Sequence, residues 1–209
     1  MSAPSMTLFH NPASPFVRKV LVLLHETGQQ DHVALQTVLV TPINPIAQLN
    51  DGNPLGKIPA LRLADGSVVH DSRVIFDYFD YQHVGNPLVP RDGSARWRRL
   101  TLASTADGIM DAAVVVRYET ALRPAEKHWE QWLEEQRNKI RRALGMLEQD
   151  AIAELASHFD VAAISVACAL GYLDYRHPDL EWRSSHPKLA AWYAEVSQRS
   201  SMLATQPPV

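Results

Sequence analysis

Cysteine is almost missing from this chain: Cys168 is the only one in 209 residues. A disulfide framework, an all-cysteine zinc site and a CxxC redox pair are therefore excluded. A basic excess is missing too. Lys and Arg number 20 against 23 Asp and Glu, a formal net charge of −3, whereas nucleic-acid binders usually carry a basic patch. Nine histidines are present but none shows HxxxH or HExxH spacing, so no metal is expected. No Lys or Arg precedes Arg18 and no apolar h-region is visible, so no secretory signal is expected. The longest nearly apolar run, residues 161–173, is short of the ~18 residues that suggest a membrane span. What is there is an ordinary globular composition, 46% hydrophobic and 21% charged. The expectation is a protein of a reducing compartment, most simply the cytoplasm, with no nucleic-acid or membrane partner.

The pattern changes character near residue 83. Residues 6–10 (MTLFH) are short and apolar and run into Asn11-Pro12, a turn signal. Val17, Val20, Leu21 and Leu24 then fall at helical spacing, with Ser14-Pro15 as cap and first residue and Gly28 as stop. Residues 33–40 predict a strand, and 41–56 a loop with one short helix. Residues 58–63 and 68–70 flank Asp65-Gly66, a hairpin signal. Residues 71–82 predict a helix with Val74, Ile75, Tyr78 and Phe79 on one face. Residues 83–92 suit a linker, and no strand signal follows. Helices are predicted over 94–122, 126–156 (Trp129, Leu133, Ile140, Leu144 and Leu147 on one stripe), 160–175 and 186–198. The third of these is apolar nearly all round and should be the buried central helix. The reading is α/β for 1–82, a linker at 83–92, and all-α for 93–209.

Three places can carry chemistry. At Asn11-Pro-Ala-Ser14-Pro15 a strand meets a helix start with a hydroxyl at the cap; open N–H groups and the macrodipole there favour an anion, including a thiolate. Taken alone, Ser14 is more simply an N-cap. At Gly56-Lys57-Ile58-Pro59, a proline sits at a strand entry, where it fits as an edge residue or in a cis bond. A cis Pro59 leaves the Ile58 backbone open to pair with an extended peptide. At His70-Asp71-Ser72, Ser72 can offer a hydroxyl and an N–H to a carboxylate, and Asp71 can hold an ammonium, or Asp71 is a plain cap. Sharing one sheet, the three suit a short extended peptide with a thiol, a carboxylate and an amine.

On these residues the chain resembles the cytosolic glutathione S-transferases. Ser14-Pro-Phe-Val-Arg-Lys-Val20 is similar to their first-helix motif, Asn53-Pro-Leu-Gly-Lys-Ile-Pro-Ala-Leu61 to their cis-proline segment, and Asp71-Ser72 to their acidic-Ser pair. Phe159-Asp-Val-Ala-Ala-Ile-Ser-Val-Ala167 resembles the capped core helix and His186-Pro-Lys-Leu-Ala-Ala-Trp192 the last conserved helix. Ala106-Asp-Gly-Ile-Met-Asp-Ala112, with Arg117 and Arg123 nearby, resembles a bacterial, serine-type subgroup.

The resemblance implies a thioredoxin-like N-terminal domain, an all-helical C-terminal domain and a homodimer. It implies glutathione as co-substrate, Ser14 as the catalytic residue, and Asn11, Phe16, Lys57, Ile58, Pro59, Asp71 and Ser72 as glutathione-binding residues. Met110 and Arg117 are the candidates for the acceptor, a small electrophile. Disulfide-reductase or peroxidase chemistry, and a non-catalytic glutathione-binding or protein-interaction module, stay open. The chain departs from the family in two ways. His10 stands where tyrosine-using classes place a late-strand aromatic, so Ser14 is the better match. Ala163 stands three after Asp160, where an acidic partner often completes a capping box. Cys168, in the most apolar helix, is expected to be a buried small hydrophobe, and Asp107, Asp111, Arg117 and Arg123 have structural readings as good as functional ones.

Overall fold

The computed structural model describes residues 6–208. They fall into two compact units, one up to Leu88 together with the residues from Ser200 onward, the other Val89–Arg199.

The first unit is built on a four-stranded sheet. β1 (Met6–His10) leads into α1 (Pro15–Glu26) and returns as β2 (Val33–Thr37), parallel to β1 with Met6 opposite Val33. After α2 (Ala47–Asn50), β3 (Ala60–Arg62) and β4 (Val68–Val69) form the hairpin, and α3 (Ser72–Gln82) follows. The sheet order is β2-β1-β3-β4, with the last two pairings antiparallel. This is the expected β-α-β, β-β-α arrangement. Helix α1 stops where Gly28 takes φ +68°, a left-handed conformation open to glycine. The strand predicted over 33–40 is shorter, because its ladder with β1 ends when Thr37 meets His10.

Two helical faces differ from the periodicity. Val74 is exposed, and α3 instead buries Ser72, Ile75, Phe76, Phe79 and Asp80. Asp80 explains the shift: its carboxylate accepts from the Leu88 N–H at 2.6 Å, so a polar side chain occupies a core position. Helix α1 buries more than its predicted stripe, since Arg18 and Lys19 are also covered. Part of that cover is α10 (Ser200–Ala204), whose Met202 carbonyl accepts from Arg18 Nη2 at 3.1 Å and whose Ser201 hydroxyl donates to Glu26.

The second unit is helical: α4 (Gly93–Leu122), α5 (Glu130–Asp150), α6 (Ile152–Ser157), α7 (Val161–Arg176), α8 (Trp182–Ser185) and α9 (Pro187–Val196). Every residue of α7 from Val161 to Leu173 is buried, Cys168 included, as a central helix requires. The helix predicted over 126–156 is two, broken at Ala151 (φ −120°, ψ −12°). Ala151 is fully buried and Leu147 and Leu155 stay buried on either side, so the apolar spacing carries no sign of the break. Trp129, expected on the buried stripe, is the N-terminal flank of α5 and 63% exposed.

Asp160 caps α7 without the missing acidic partner at position 163. Its Oδ1 accepts from the Ala162 and Ala163 N–H groups at 3.0 and 3.3 Å. Arg99 of α4 completes the cluster. Its Nε donates to Asp160 Oδ2 at 2.5 Å, its Nη2 to Oδ1, and its Nη1 to the Glu154 carbonyl at 2.8 Å. Both residues are buried. Asp160→Ala should therefore cost about 3–5 kcal/mol, because it leaves a buried guanidinium unpaired as well as an uncapped helix. Asp160→Asn, which keeps an acceptor for the cap, should cost less; urea denaturation of the two variants measures the difference.

Candidate functional site

The strand registers bring the three predicted places to one end of the sheet. Phe9 pairs with Ala60, so the chain leaving β1 at His10-Asn11 runs beside Ile58-Pro59 entering β3. Leu61 pairs with Val69, so His70-Asp71 leaves β4 at the same end. Neighbouring strands lie ~4.8 Å apart, which spreads the three places over about 10 Å. An extended tripeptide spans ~10 Å at about 3.3 Å per residue.

At the first place, Ser14 is the N-cap of α1 in extended conformation. Its Oγ accepts from the Val17 N–H at 3.3 Å, and its carbonyl accepts from the Arg18 N–H at 3.0 Å. Accepting through a lone pair leaves the hydroxyl hydrogen available to donate outward. Pro15 has no N–H, so the Phe16 N–H is the one first-turn donor with no partner among the described residues. Asn11 staples the loop. Its Nδ2 donates to the Val38 carbonyl at 3.2 Å and its Oδ1 accepts from the Ala13 N–H at 2.9 Å.

At the second place the Ile58-Pro59 bond is cis, as expected. Neither the N–H nor the C=O of Ile58 has a hydrogen-bond partner among the described residues. The loop is held from beneath by Asn53, which is buried. Its Nδ2 donates to the Lys57 carbonyl at 2.8 Å and its Oδ1 accepts from the Leu55 N–H at 3.1 Å. Gly56 takes φ +60° between them, a conformation that favours glycine. The Lys57 side chain is exposed.

At the third place Asp71 is the N-cap of α3, accepting from the Arg73 N–H at 2.9 Å. The His70-Asp71 peptide bond is also cis. Arg73 turns back on Asp71, with Nη2 at 2.7 Å from Oδ2. This hydrogen bond, with the nearby charges of Arg73 and Lys19, holds the Asp71 carboxyl below the usual carboxylate range. Ser72 is only 3% exposed, yet its hydroxyl and N–H have no partner among the described residues.

Sequence reasoning missed three contributors: Asn53 as the loop's support, Lys19, fully buried at 1% exposure, and the Arg73 clasp. A polar residue just ahead of Pro-Leu-Gly was the available signal for Asn53; nothing local marks Lys19 as buried. The acceptor candidates differ: Met110 is 0% exposed and Arg117 is on the surface of α4. Arg123 is paired with Glu119 at 2.8 Å, one turn away. Among the described residues no three His, Cys, Asp or Glu group to hold a metal ion, and no helix is long and apolar enough to cross a membrane.

Comparison with known proteins follows this division. Residues 13–82 match the family model for the glutathione S-transferase N-terminal domain, and residues 130–195 the one for the C-terminal domain. The chain is 35% identical over 205 residues to the uncharacterized GST-like protein YibF of Escherichia coli K12, covering 97% of this chain and 99% of that one. It is similar to a crystal structure of a glutathione transferase family member from Pseudomonas fluorescens Pf-5 with bound glutathione: TM-score 0.97, 76% identity, 98% of this chain and all (100%) of that one. A second crystal structure from that source, with bound S-(propanoic acid)-glutathione, gives TM-score 0.92 at 74% identity, covering 97% and 100%.

His10 sits beside this site, at the end of β1. Its Nε2 meets Thr37 Oγ1 at 3.0 Å while its Nδ1 is buried with no partner among the described residues. Burial lowers its pKa below 6.5, as burial also does for His177. The unfolded chain then binds more protons than the folded one as pH falls through ~6.5. Stability should be fullest above that value and decline toward the lower folded pKa. The urea midpoint should drop between pH 7.5 and 5.5, and drop less in His10→Phe, with His177 accounting for a remainder.

Proposed function

Because the chain belongs to the glutathione S-transferase family, we propose that it binds glutathione along this end of the sheet and activates its thiol for attack on a small electrophile. The observation that carries the reading is the start of α1. Ser14 Oγ is anchored by the Val17 N–H, so its hydrogen can point to a sulfur, and the Phe16 N–H lies open beside it. The solved relative with bound glutathione, at 76% identity, supports the choice of peptide.

A free thiol has a pKa near ~8.5 and is only a few per cent thiolate at pH 7. Lowering it by two units takes about 2.7 kcal/mol of preference for the anion. One charge-assisted hydrogen bond from Ser14, about 1.5–3 kcal/mol, supplies most of that, and the Phe16 N–H and the helix dipole act in the same direction. Ser14 works as a donor, so no general base is required. The Ile58 backbone pairs with the cysteinyl residue, as in strand addition. Ser72 binds the γ-glutamyl carboxylate through its hydroxyl and N–H, and Asp71 binds the ammonium. Pro59 shapes the turn, Asn11 fixes the loop that carries Ser14, and Lys57 lines the approach.

Conjugation is favoured over disulfide exchange through an enzyme thiol, since the single cysteine, Cys168, is buried in α7 and cannot form a mixed disulfide with a ligand. For the acceptor, we assign Arg117 as a cation for an anionic electrophile; Met110, being buried, presents no surface to it. The reading extends to a homodimer acting in the cytoplasm.

Ser14→Ala should lower kcat by roughly 10- to 100-fold, the loss of about 1.5–3 kcal/mol of thiolate stabilisation, with little change in glutathione affinity. The urea midpoint of the same variant reports the lost cap separately, about 1 kcal/mol. Full turnover at saturating glutathione would remove Ser14 from the chemistry.

Ser72→Ala should do the reverse, raising KM for glutathione while sparing kcat, as loss of uniform binding does. The expected size is about 1–3 kcal/mol. The dipeptide Cys-Gly, which lacks the γ-glutamyl group, should be indifferent to the change. Equal damage to both ligands would make Ser72 a purely structural residue.

A further inference from the structure

Asp71 is already occupied. Arg73 Nη2 lies 2.7 Å from Oδ2, its Nε lies 3.3 Å from both carboxylate oxygens, and its N–H caps Oδ1 at 2.9 Å. Residues two apart on a helix do not face one another. Arg73 reaches Asp71 only by folding back toward the helix start, so the pairing is no by-product of helical spacing. The clasp is solvent-accessible, with side chains 66% and 47% exposed, so it can open without unfolding α3. A cation beside a helix N-terminus is opposed by the dipole, and the Asp71 carboxylate helps to offset this.

We infer that Arg73 is an internal competitor for the ligand's ammonium group, a cation that must leave Asp71 before the γ-glutamyl end of glutathione can seat. The inference rests on the reading of Asp71 and Ser72 given above. The exchange is of one ion pair for another. The ligand also delivers a carboxylate to the Ser72 N–H, so the incoming group satisfies both the carboxylate of Asp71 and the positive helix end, which Arg73 cannot do. Residue 73 thereby sets the affinity for peptides with a free amino-acid terminus.

The test is calorimetric titration of wild-type protein and Arg73→Gln with two ligands: glutathione, and N-acetylglutathione, which keeps the carboxylate but has no ammonium. An exposed ion pair contributes little, so Arg73→Gln should tighten glutathione binding by only about three- to five-fold. N-acetylglutathione should bind both proteins equally, and Arg73→Lys should behave like wild type toward both. Unchanged or weakened glutathione binding in Arg73→Gln overturns the inference, weakening meaning that Arg73 contacts the ligand directly. An equal gain for both ligands also overturns it, since then the ammonium is not what Arg73 displaces. If wild-type protein binds neither ligand, the functional reading itself fails and this inference with it.

Discussion

The first turn of an α-helix has four N–H groups without intrahelical acceptors. This chain meets that deficit in three ways at three helix starts. At α7 it is met internally: Asp160 caps two N–H groups and Arg99 neutralises the buried carboxylate. At α3 it is met in part, with Asp71 capping one N–H while Ser72 keeps a hydroxyl and an N–H without partners among the described residues. At α1 the cap is a neutral serine that takes one N–H and leaves another. The closed start holds the helical unit together, and the open ones face the end of the sheet where the strand registers gather the site.

Between the two open starts, the backbone at Ile58 is the geometric link. A peptide laid beside it continues the sheet's own hydrogen-bonding pattern, which fixes its direction and register before any side chain is read. Asn53 makes this possible at a cost of burying an amide, and it satisfies that amide on both ends, at the Lys57 carbonyl and the Leu55 N–H. A buried polar group that is fully bonded stiffens its surroundings, and here the stiffened element is the turn that presents Ile58.

The longer elements and their order were legible because α1, β1 and α7 have local signals, helical spacing, a Ser-Pro start and an unbroken apolar run, whereas the short α8 and α10 carry no such signal. The serine at position 14 was legible for the same reason, since a cap is a local feature. What was not legible depends on partners distant in sequence. The burial of Arg18 comes partly from α10, joined to α1 by contacts spanning 184 and 175 residues. The cap at Asp160 looked weak because its support, Arg99, lies 61 residues away. The break at Ala151 was hidden because a one-residue dislocation can preserve an apolar stripe. Val74 and Trp129 misled for the opposite reason: both fit a period, and exposure at a helix flank or face is decided by what packs there. The bond from Asn11 to the Val38 carbonyl was hidden because its partner lies 27 residues away.

The composition of the first turn of α1 bears on why it can serve an anion. Acidic residues are the usual stabilisers of that position, contributing about 0.3–1 kcal/mol each through the dipole. Helix α1 has none there; its first turn is Pro15, Phe16 and Val17, and the charges that follow, Arg18 and Lys19, are positive and buried. A carboxylate in that turn would compete for the Phe16 N–H and repel a thiolate across a few ångströms. Its absence leaves the helix start with its dipole uncompensated, a state that is less favourable for the protein alone and more favourable once a negative sulfur stands before it. The same logic makes a neutral cap preferable to Asp at position 14: an aspartate would satisfy Val17 equally well, but it has no hydrogen to give.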